Sequence, residues 1–417
     1  MKRLSTLRNG PPLAFAAGAE PATIRPVLYT RAFVTICAVA LLGFGSNFAI
    51  QPVLPIMILE RGGDATLVGL IIAAFSFPSV ILRPFMGRLV DEWSNRRVLV
   101  LGTAGIGLSG FIYVVPNLAV IFLDRIFHGA GWAAFNASAH SMLARLAPTA
   151  RRGEASSVYN LMPGIAQAVM PAVGLLLLGV TGTAGPFVLA GLLGLGAFAL
   201  TTFGPLPETA ATPRSAREGF WRSLLERGAI LPMTLEFLFT SVSSLFLIYP
   251  PVFAASHGLP IESLAIYYPI YGGVLVGSRL ITGRFIDRLP RRAIVAAGAL
   301  LAVLALALAT GAGSVASLTV AGVVYATAAS FTSPTAMAMA IDRSDPRRIG
   351  AAMATYTLGF QLGLGLGAAI WGWIIDNYGF PAPYIGAMIL QGALLALLAV
   401  TWLTARRARR QEGTGRP

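Results

Sequence analysis

The sequence predicts an all-α integral membrane protein, with twelve transmembrane helices arranged as two six-helix bundles related by a pseudo-twofold axis. Three observations predict it. Of the 417 residues, 56% are hydrophobic and only 12% charged, about half of the roughly 25% charged share typical of a soluble domain. Apolar runs of spanning length, about 20 residues, recur along the chain. A charged pattern in the first half returns in the second, 196 residues on.

Twelve runs meet the length requirement. The first six lie near 32–58, 67–86, 98–116, 119–142, 156–179 and 184–204, and the second six near 230–254, 262–283, 293–311, 317–340, 350–374 and 382–403. The expected organisation is a cytosolic tail over 1–30, bundles over 31–204 and 230–404, a linker over 205–229 and a tail over 405–417. The linker carries Glu208, Arg214, Arg217, Glu218, Arg222, Glu226 and Arg227 with Pro205, Pro207 and Pro213, and has room for a short surface helix around Phe220–Leu225.

The net charge of +14 does not mark a nucleic-acid binder, because the charges sit between the apolar runs and form no single basic surface. They orient the chain instead, since cytoplasmic loops accumulate Lys and Arg. With the N-terminus inside, the inner loops hold Arg88, Arg96, Arg97, Arg145, Arg151, Arg152, Arg284, Arg288, Arg291, Arg292, Arg343, Arg347 and Arg348, and the C-terminal tail holds Arg406, Arg407, Arg409 and Arg410. The opposite loops hold Arg61 and almost nothing else basic. Both termini are therefore expected in the cytoplasm. Lys2 is the only lysine, a bias that fits a GC-rich bacterial source and hence the bacterial cytoplasmic (inner) membrane. Near the N-terminus, Lys2, Arg3 and Arg8 precede a short apolar stretch and Ala17-Gly18-Ala19, a faint signal-peptide pattern. Pro11 and Pro12 interrupt that stretch, so it reads as tail.

Arg83, Gly87, Arg88 and Asp91 recur as Arg279, Gly283, Arg284 and Asp287, each 196 residues later. Gly153 and Tyr159 recur as Gly350 and Tyr356 after 197. Near-equal shifts at distant landmarks imply two homologous halves of six helices each. Six is even, so the halves share one orientation and are related by an axis along the membrane normal.

The stretch Gly87-Arg88-Leu89-Val90-Asp91-Glu92-Trp93-Ser94-Asn95-Arg96-Arg97 resembles the signature loop of the major facilitator superfamily, G-x-x-x-D-x-x-G-R-[KR]. Its second copy runs from Gly283 to Arg291 and Arg292. Ser94 and Asn95 replace the usual Gly-Arg, and Pro290 replaces Gly. Glycine lets helix ends approach and an Asp among arginines can latch the cytoplasmic face, a contact that would stabilise the outward-open state. The candidate latch is Arg83, Gly87, Arg88, Asp91, Arg96, Arg97, Arg279, Gly283, Arg284, Asp287, Arg291 and Arg292.

A second stretch, Arg125-Ile126-Phe127-His128-Gly129-Ala130-Gly131-Trp132-Ala133, resembles the family pattern R-x-x-Q-G-x-G-x-A, with His128 in place of Gln. An arginine inside hydrocarbon is costly and normally faces a cavity with a partner. The resemblance implies a part in proton transfer for Arg125; a structural ion pair is the other reading. Asp124, on the adjoining flank, either pairs with Arg125 or faces the outer entrance. Glu236 is the other lone intramembrane acid; it either carries a proton or bridges to an interfacial arginine. Asp124, Arg125, Glu236 and His128 are the proton-coupling candidates, while His140 reads as a hydrogen-bonding filler. Gly164 to Gly174 resembles a worn copy of the family's antiporter motif, keeping Pro171 and Gly174 but carrying Met170 and Leu175 where glycines belong.

The resemblance implies a cavity lined chiefly by the first, fourth, seventh and tenth helices, supported by the fifth, eighth and eleventh. Its candidate residues are Asn47, Gln51, Trp132, Asn136, Tyr159, Asn160, Gln167, Ser243, Tyr268, Tyr271, Tyr356 and Gln361. Tyr249 and Tyr267 are placed in an interfacial belt. Many aromatics and few charges suit an amphipathic, neutral or weakly charged small molecule.

The expectation is a monomeric secondary transporter, exporting a small organic molecule by proton antiport across the bilayer. Uptake by proton symport, an uncoupled facilitator and a non-transporting sensor or scaffold are the alternatives. Drug exporters frequently carry an acid in the first helix; Asn47 and Gln51 stand there instead. The tails and linker are short for a signalling domain. One cysteine, Cys37, precludes an internal disulfide framework or thiolate metal site. No phosphate-binding loop, metal-ligand cluster or serine nucleophile with partners occurs, so neither enzyme, cofactor nor metal is expected.

Overall fold

A computed structural model of the chain describes residues 27–148, 151–208, 225–282, 289–345 and 348–414. The expected surface helix near Phe220 and most of the N-terminal tail lie outside these residues. All regular structure described is helical. Helices α1 (Arg31–Ile50) and α2 (Val53–Glu60) form the first run, and α3 (Ala65–Ile81) and α4 (Arg83–Glu92) the second. Then come α5 (Asn95–Ile112), α6 (Leu118–Leu146), α7 (Arg152–Thr181) and α8 (Ala184–Phe203). The second half opens with α9 (Ile230–Leu247) and α10 (Pro250–Ser256), followed by α11 (Leu264–Thr282), α12 (Arg291–Thr310), α13 (Val315–Asp342), α14 (Ile349–Tyr378) and α15 (Pro381–Thr414).

Each of the twelve expected runs falls on one of these helices or helix pairs, and nine described helices are long and apolar enough to cross a bilayer. The runs near 67–86, 98–116 and 262–283 fall outside that set for local reasons. Leu82 interrupts the first of them, α5 opens on Asn95-Arg96-Arg97, and α11 carries Arg279 in its last turn.

The repeat is written into the backbone. Among the described residues four glycines adopt positive φ, at Gly62, Gly182, Gly258 and Gly379, with values of 78°, 67°, 63° and 76°. They form two pairs, 62 with 258 and 182 with 379, separated by the same 196 and 197 residues (258 − 62 = 196; 379 − 182 = 197). Each ends a helix at the arginine-poor end, where a left-handed residue turns the chain back and glycine adopts it without a Cβ clash. Breaks repeat as well. The first run is interrupted at Gln51-Pro52 and the seventh at Ile248-Tyr249, before Pro250 and Pro251. Proline cannot donate to the helical ladder, which frees carbonyls one turn back. Two of these in the seventh run are taken by tyrosines of α11: Tyr267 donates to the Phe246 carbonyl at 2.6 Å and Tyr268 to that of Leu247 at 3.2 Å.

Packing follows the same symmetry. In the first half α1 packs on α7 and α8, α5 on α6 and α8, and α3 on α6. The second half repeats each pair: α9 on α14 and α15, α12 on α13 and α15, and α11 on α13. Between the halves α3 packs on α14, and its repeat-related counterpart α11 packs on α7. Exchange of the two inter-half pairs by the repeat is what a twofold axis along the helices requires. Tyr249 and Tyr267 do not belong to an interfacial belt. Both are fully buried, because Tyr249 reaches the Ala368 carbonyl at 2.5 Å and Tyr267 the broken end of α9.

Candidate functional site

Two small residues hold α6 close enough to its neighbours to bury Arg125. A Cβ on Gly129 would lie 2.3 Å from the Phe75 carbonyl of α3, and one on Gly131 would touch Gly102 and Gly105 of α5. Along α6 the charged pair Asp124 and Arg125 is therefore packed against α3 and α5 rather than left to lipid. The two do not pair with each other. Asp124 is 4% exposed, and one carboxylate oxygen accepts from the Ser109 hydroxyl at 3.0 Å while the other, Oδ2, has no partner among the described residues. Arg125 lies over the Phe75 ring at 4.8 Å and the Tyr113 ring at 5.9 Å, and its Nε has no hydrogen-bond partner among the described residues. The aromatic faces supply the negative potential that a carboxylate would otherwise provide. His128, one turn on, shares a 3.0 Å hydrogen bond with the Tyr113 hydroxyl through Nδ1, and its Nε2 has no partner among the described residues.

The second half builds a corresponding carboxylate site from different residues. Glu236 of α9 is fully buried, accepts from the Ser333 hydroxyl of α13 at 2.8 Å, and keeps Oε2 without a partner among the described residues. Tyr356 of α14 donates to the Ser333 carbonyl at 2.8 Å. Arg279 of α11 is an electrostatic neighbour of Glu236, Tyr271 and Tyr356. The cluster thus joins four helices of one half.

The cavity candidates divide into packed and free. Trp132 packs on Phe44, Phe75 and Phe135, and Asn136 donates to the Trp132 carbonyl at 3.1 Å. His140 shares a 2.9 Å hydrogen bond with the Asn136 carbonyl and lies edge-on to Tyr159. The Tyr159 hydroxyl and the Gln51 Oε1 are buried without hydrogen-bond partners among the described residues. Asn47 and Gln167 are half-buried and Asn160 is exposed. Ser243 shares a 2.7 Å hydrogen bond with Tyr325, whose ring stacks between Phe239 and Phe246. Tyr268, Tyr271 and Gln361 are buried. Tyr268 spends its hydroxyl on α9, and Tyr271 stacks on Tyr267.

Of the latch residues, Gly283, Arg284 and Asp287 lie outside the described residues, and Gly87 and Asp91 are placed on α4 by their backbone. Arg83 crosses between halves to the Thr357 hydroxyl. The other contacts seen stay within one half. Arg88 pairs with Glu92, Arg97 lies over Trp93, and Arg96 caps the end of α8 through the carbonyls of Thr201, Thr202 and Gly204. Arg291 pairs with Asp342 at 2.6 Å and Arg292 reaches the Thr401 carbonyl at 3.5 Å.

Sequence reasoning missed Ser109, Tyr113 and Ser333, the partners of the buried charges, and it missed Asp376. That carboxylate, at the arginine-poor end of α14, accepts from the amides of Ala65 (3.1 Å) and Thr66 (2.6 Å) and from the Thr66 hydroxyl. It therefore caps α3 of the opposite half.

The sequence profile described as Major Facilitator Superfamily matches residues 36–326 and 278–417. The quinolone resistance protein NorA of Staphylococcus aureus is 23% identical over 54% of this chain. The match spans 57% of NorA, so the chain covers about half the length of that relative. An uncharacterized MFS-type transporter of Methanocaldococcus jannaschii, MJ1560, is 21% identical over 86% of this chain and 92% of its own. Among solved structures, the nucleoside transporter NupG superposes with a TM-score of 0.71 at 14% identity, over 88% of this chain and 98% of its own. A POT family transporter in complex with a thioalcohol-conjugated peptide gives 0.75 at 14%, over 90% and 96%. At these identities the superpositions speak for the fold. The profile covers nearly the whole chain, and the repeated helix pairs and signature loops agree with it: the chain belongs to the major facilitator superfamily and is a multi-pass membrane protein.

Proposed function

We propose that the chain is a proton-coupled exporter of a small organic molecule, working by alternating access in a bacterial cytoplasmic membrane with both termini inside. The observation that carries this reading is the matched pair of buried carboxylates. Asp124 in one half and Glu236 in the other each hold one oxygen to a serine hydroxyl and leave the other without a described partner. A carboxyl group takes up a proton where it is shielded from water and releases it where a cavity admits water. Rocking of two halves about a central site supplies that alternation. Antiport is favoured by the likeness to NorA, a quinolone resistance protein. Symport is the second reading, favoured by Asn47 and Gln51 standing where exporters often carry an acid. The protein works as a monomer, with protons, the transported molecule and the bilayer as its partners.

The test uses purified protein in liposomes with an internal pH dye and a panel of candidate substrates, comparing wild type with Glu236→Gln and Asp124→Asn. Substrate-induced proton flux lost in either variant supports coupling, and its sign separates antiport from symport. Substrate movement without proton flux, unchanged in both variants, leaves an uncoupled facilitator and rejects the coupled reading.

A further inference from the structure

We propose that the arginine-rich end of α15 is a binding surface for anionic phospholipid, with Arg406, Arg407 and Arg410 holding head-group phosphates of the leaflet at that end. Helix α15 runs unbroken from Pro381 to Thr414, 34 residues or about 51 Å, well beyond the roughly 30 Å of a hydrocarbon core. A neighbouring helix marks where the excess begins. Arg292, in the first turn of α12, reaches the Thr401 carbonyl. Trp402 beside it is 43% exposed, as suits an aromatic at the edge of the hydrocarbon. Arg406 and Arg407 lie about 8 and 9 Å further along the axis, near the depth of a head-group layer, and Arg410 lies one turn beyond.

The face of the helix decides the partner. Ile389, Gly392, Ala396, Ala399 and Leu403 are exposed and recur every three or four residues, the spacing of one side of a helix. On a spanning helix that side meets acyl chains. The same alternation continues through positions 406 and 410, with 407 flanking, so the side that lies on lipid tails turns to arginine where the head groups begin. Arg409 falls outside it, in line with buried Gln391 five turns back, on the side where α15 packs on α12. The helix itself offers the three arginines no counter-ion. Elsewhere at this end Arg88, Arg151, Arg291 and Arg348 pair with Glu92, Glu154, Asp342 and Glu226. No acid stands three or four residues to either side of Arg406, Arg407 or Arg410, the positions from which a helix pairs charges. Guanidinium groups bind phosphate through two parallel hydrogen bonds, and each basic residue at the membrane surface adds to the attraction for anionic lipid. The inference does not depend on proton coupling or on the direction of transport.

The test is fluorescence quenching of Trp402 in the full-length protein, in phosphatidylcholine nanodiscs carrying increasing brominated phosphatidylglycerol or brominated phosphatidylcholine. The Trp402 signal is the difference between each protein and its Trp402→Phe counterpart. In wild type, phosphatidylglycerol should reach half-quenching at a mole fraction at least about tenfold lower than phosphatidylcholine. Arg406→Gln, Arg407→Gln and Arg410→Gln together should bring the two lipids level, since glutamine keeps nearly the helix propensity of arginine and removes only the charge. Arg406→Gln and Arg410→Gln alone should each lose part of the preference, so the result does not hang on the folding of the triple variant. A control triple at exposed sites of the same end, Arg145→Gln, Arg152→Gln and Arg343→Gln, should keep it. Equal quenching by the two lipids in wild type overturns the proposal, as does a preference that survives in the α15 triple variant. A preference lost as fully in the control triple overturns it too, because the charge of the whole end would then be the cause. Displacement of phosphatidylglycerol by millimolar inorganic phosphate at constant ionic strength rejects the lipid in favour of a soluble anion.

Discussion

Arg125 illustrates how a single charge is kept within the membrane-spanning part of the fold. Its guanidinium rests on Phe75 at 4.8 Å with no ion pair among the described residues, so the ring face carries much of its stabilisation, about 2 kcal/mol for a desolvated pair. Phe75→Leu keeps an apolar side chain and removes that face. It should destabilise the protein by roughly 1–3 kcal/mol in reversible unfolding in mixed micelles, and the loss should shrink by about 1 kcal/mol or more when Arg125 is already Met. Strictly additive losses would show that the ring merely fills space. Arg125, Asp124 and Glu236 were legible in the sequence because a charge within an apolar run must be served by something other than lipid. Their partners were not. Ser109, Ser333 and Tyr113 are ordinary residues of membrane helices, and only the packing of α5 on α6 and of α9 on α13 selects them. The sequence also left open an Asp124–Arg125 pair, but neighbours along a helix point in directions about 100° apart, and each found its own partner on a different helix.

At the scale of the element, glycine position decides how closely helices approach. Along α14, Gly359, Gly363 and Gly367 recur every four residues, and a Cβ on each would meet the backbone of α9 at Met233 (2.2 Å), Phe237 (2.6 Å) and Ser241 (2.2 Å). Gly365 and Gly372 turn the other way, against Ser76 and Ala65 of the opposite half. The sequence displays the glycines but not which neighbour each face meets. Helix α7 offers a controlled comparison five residues apart. A Cβ on Gly174 would sit 2.2 Å from the Ala49 carbonyl, whereas one on Gly179 would meet nothing within 4 Å. Gly174→Ala should therefore destabilise by about 1–3 kcal/mol through overpacking, while Gly179→Ala should be neutral or gain up to about 1 kcal/mol from helix propensity. Thermal unfolding of the two variants side by side checks this; equal effects would mean that α1 and α7 do not touch as closely as described. The apolar runs were legible as helices, yet their internal breaks were not. Pro52 and Pro250 sit inside runs that read as continuous, and hydrophobicity does not register a missing amide.

Over the whole molecule, the repeat was legible from Arg83 to Asp91 and from Arg279 to Asp287, because charged loop residues keep their spacing while apolar ones exchange freely. Contacts between halves carry no such signature, since they join segments some 300 residues apart whose residue types are unexceptional. Asp376 is the clearest case: an acid at the end of an apolar run reads as interfacial, and nothing in the sequence pairs it with Ala65 and Thr66. Its carboxylate caps the first turn of α3, where unpaired amides and the helix dipole favour a negative charge. Tyr249 reinforces the same junction by reaching the Ala65 carbonyl at 3.4 Å, and Gly69 and Gly372 let the two backbones meet. Rocking the halves apart at the arginine-poor end must break this cap, so its strength biases the balance between closed and open states. Asp376→Ala removes every acceptor at once. Hydrogen bonds to a charged group contribute about 1.5–3 kcal/mol each, and 1.4 kcal/mol is a tenfold shift in population. Spin labels at Thr183 and Glu262, in connections of opposite halves at that end, should therefore report a longer distance in Asp376→Ala, with the open population raised at least about tenfold. Labels at the arginine-rich end should move closer in the same variant, because a rigid half that opens one end closes the other. Distances that lengthen at one end without shortening at the other would mean that the cap holds a local helix terminus and has no part in setting the position of the halves.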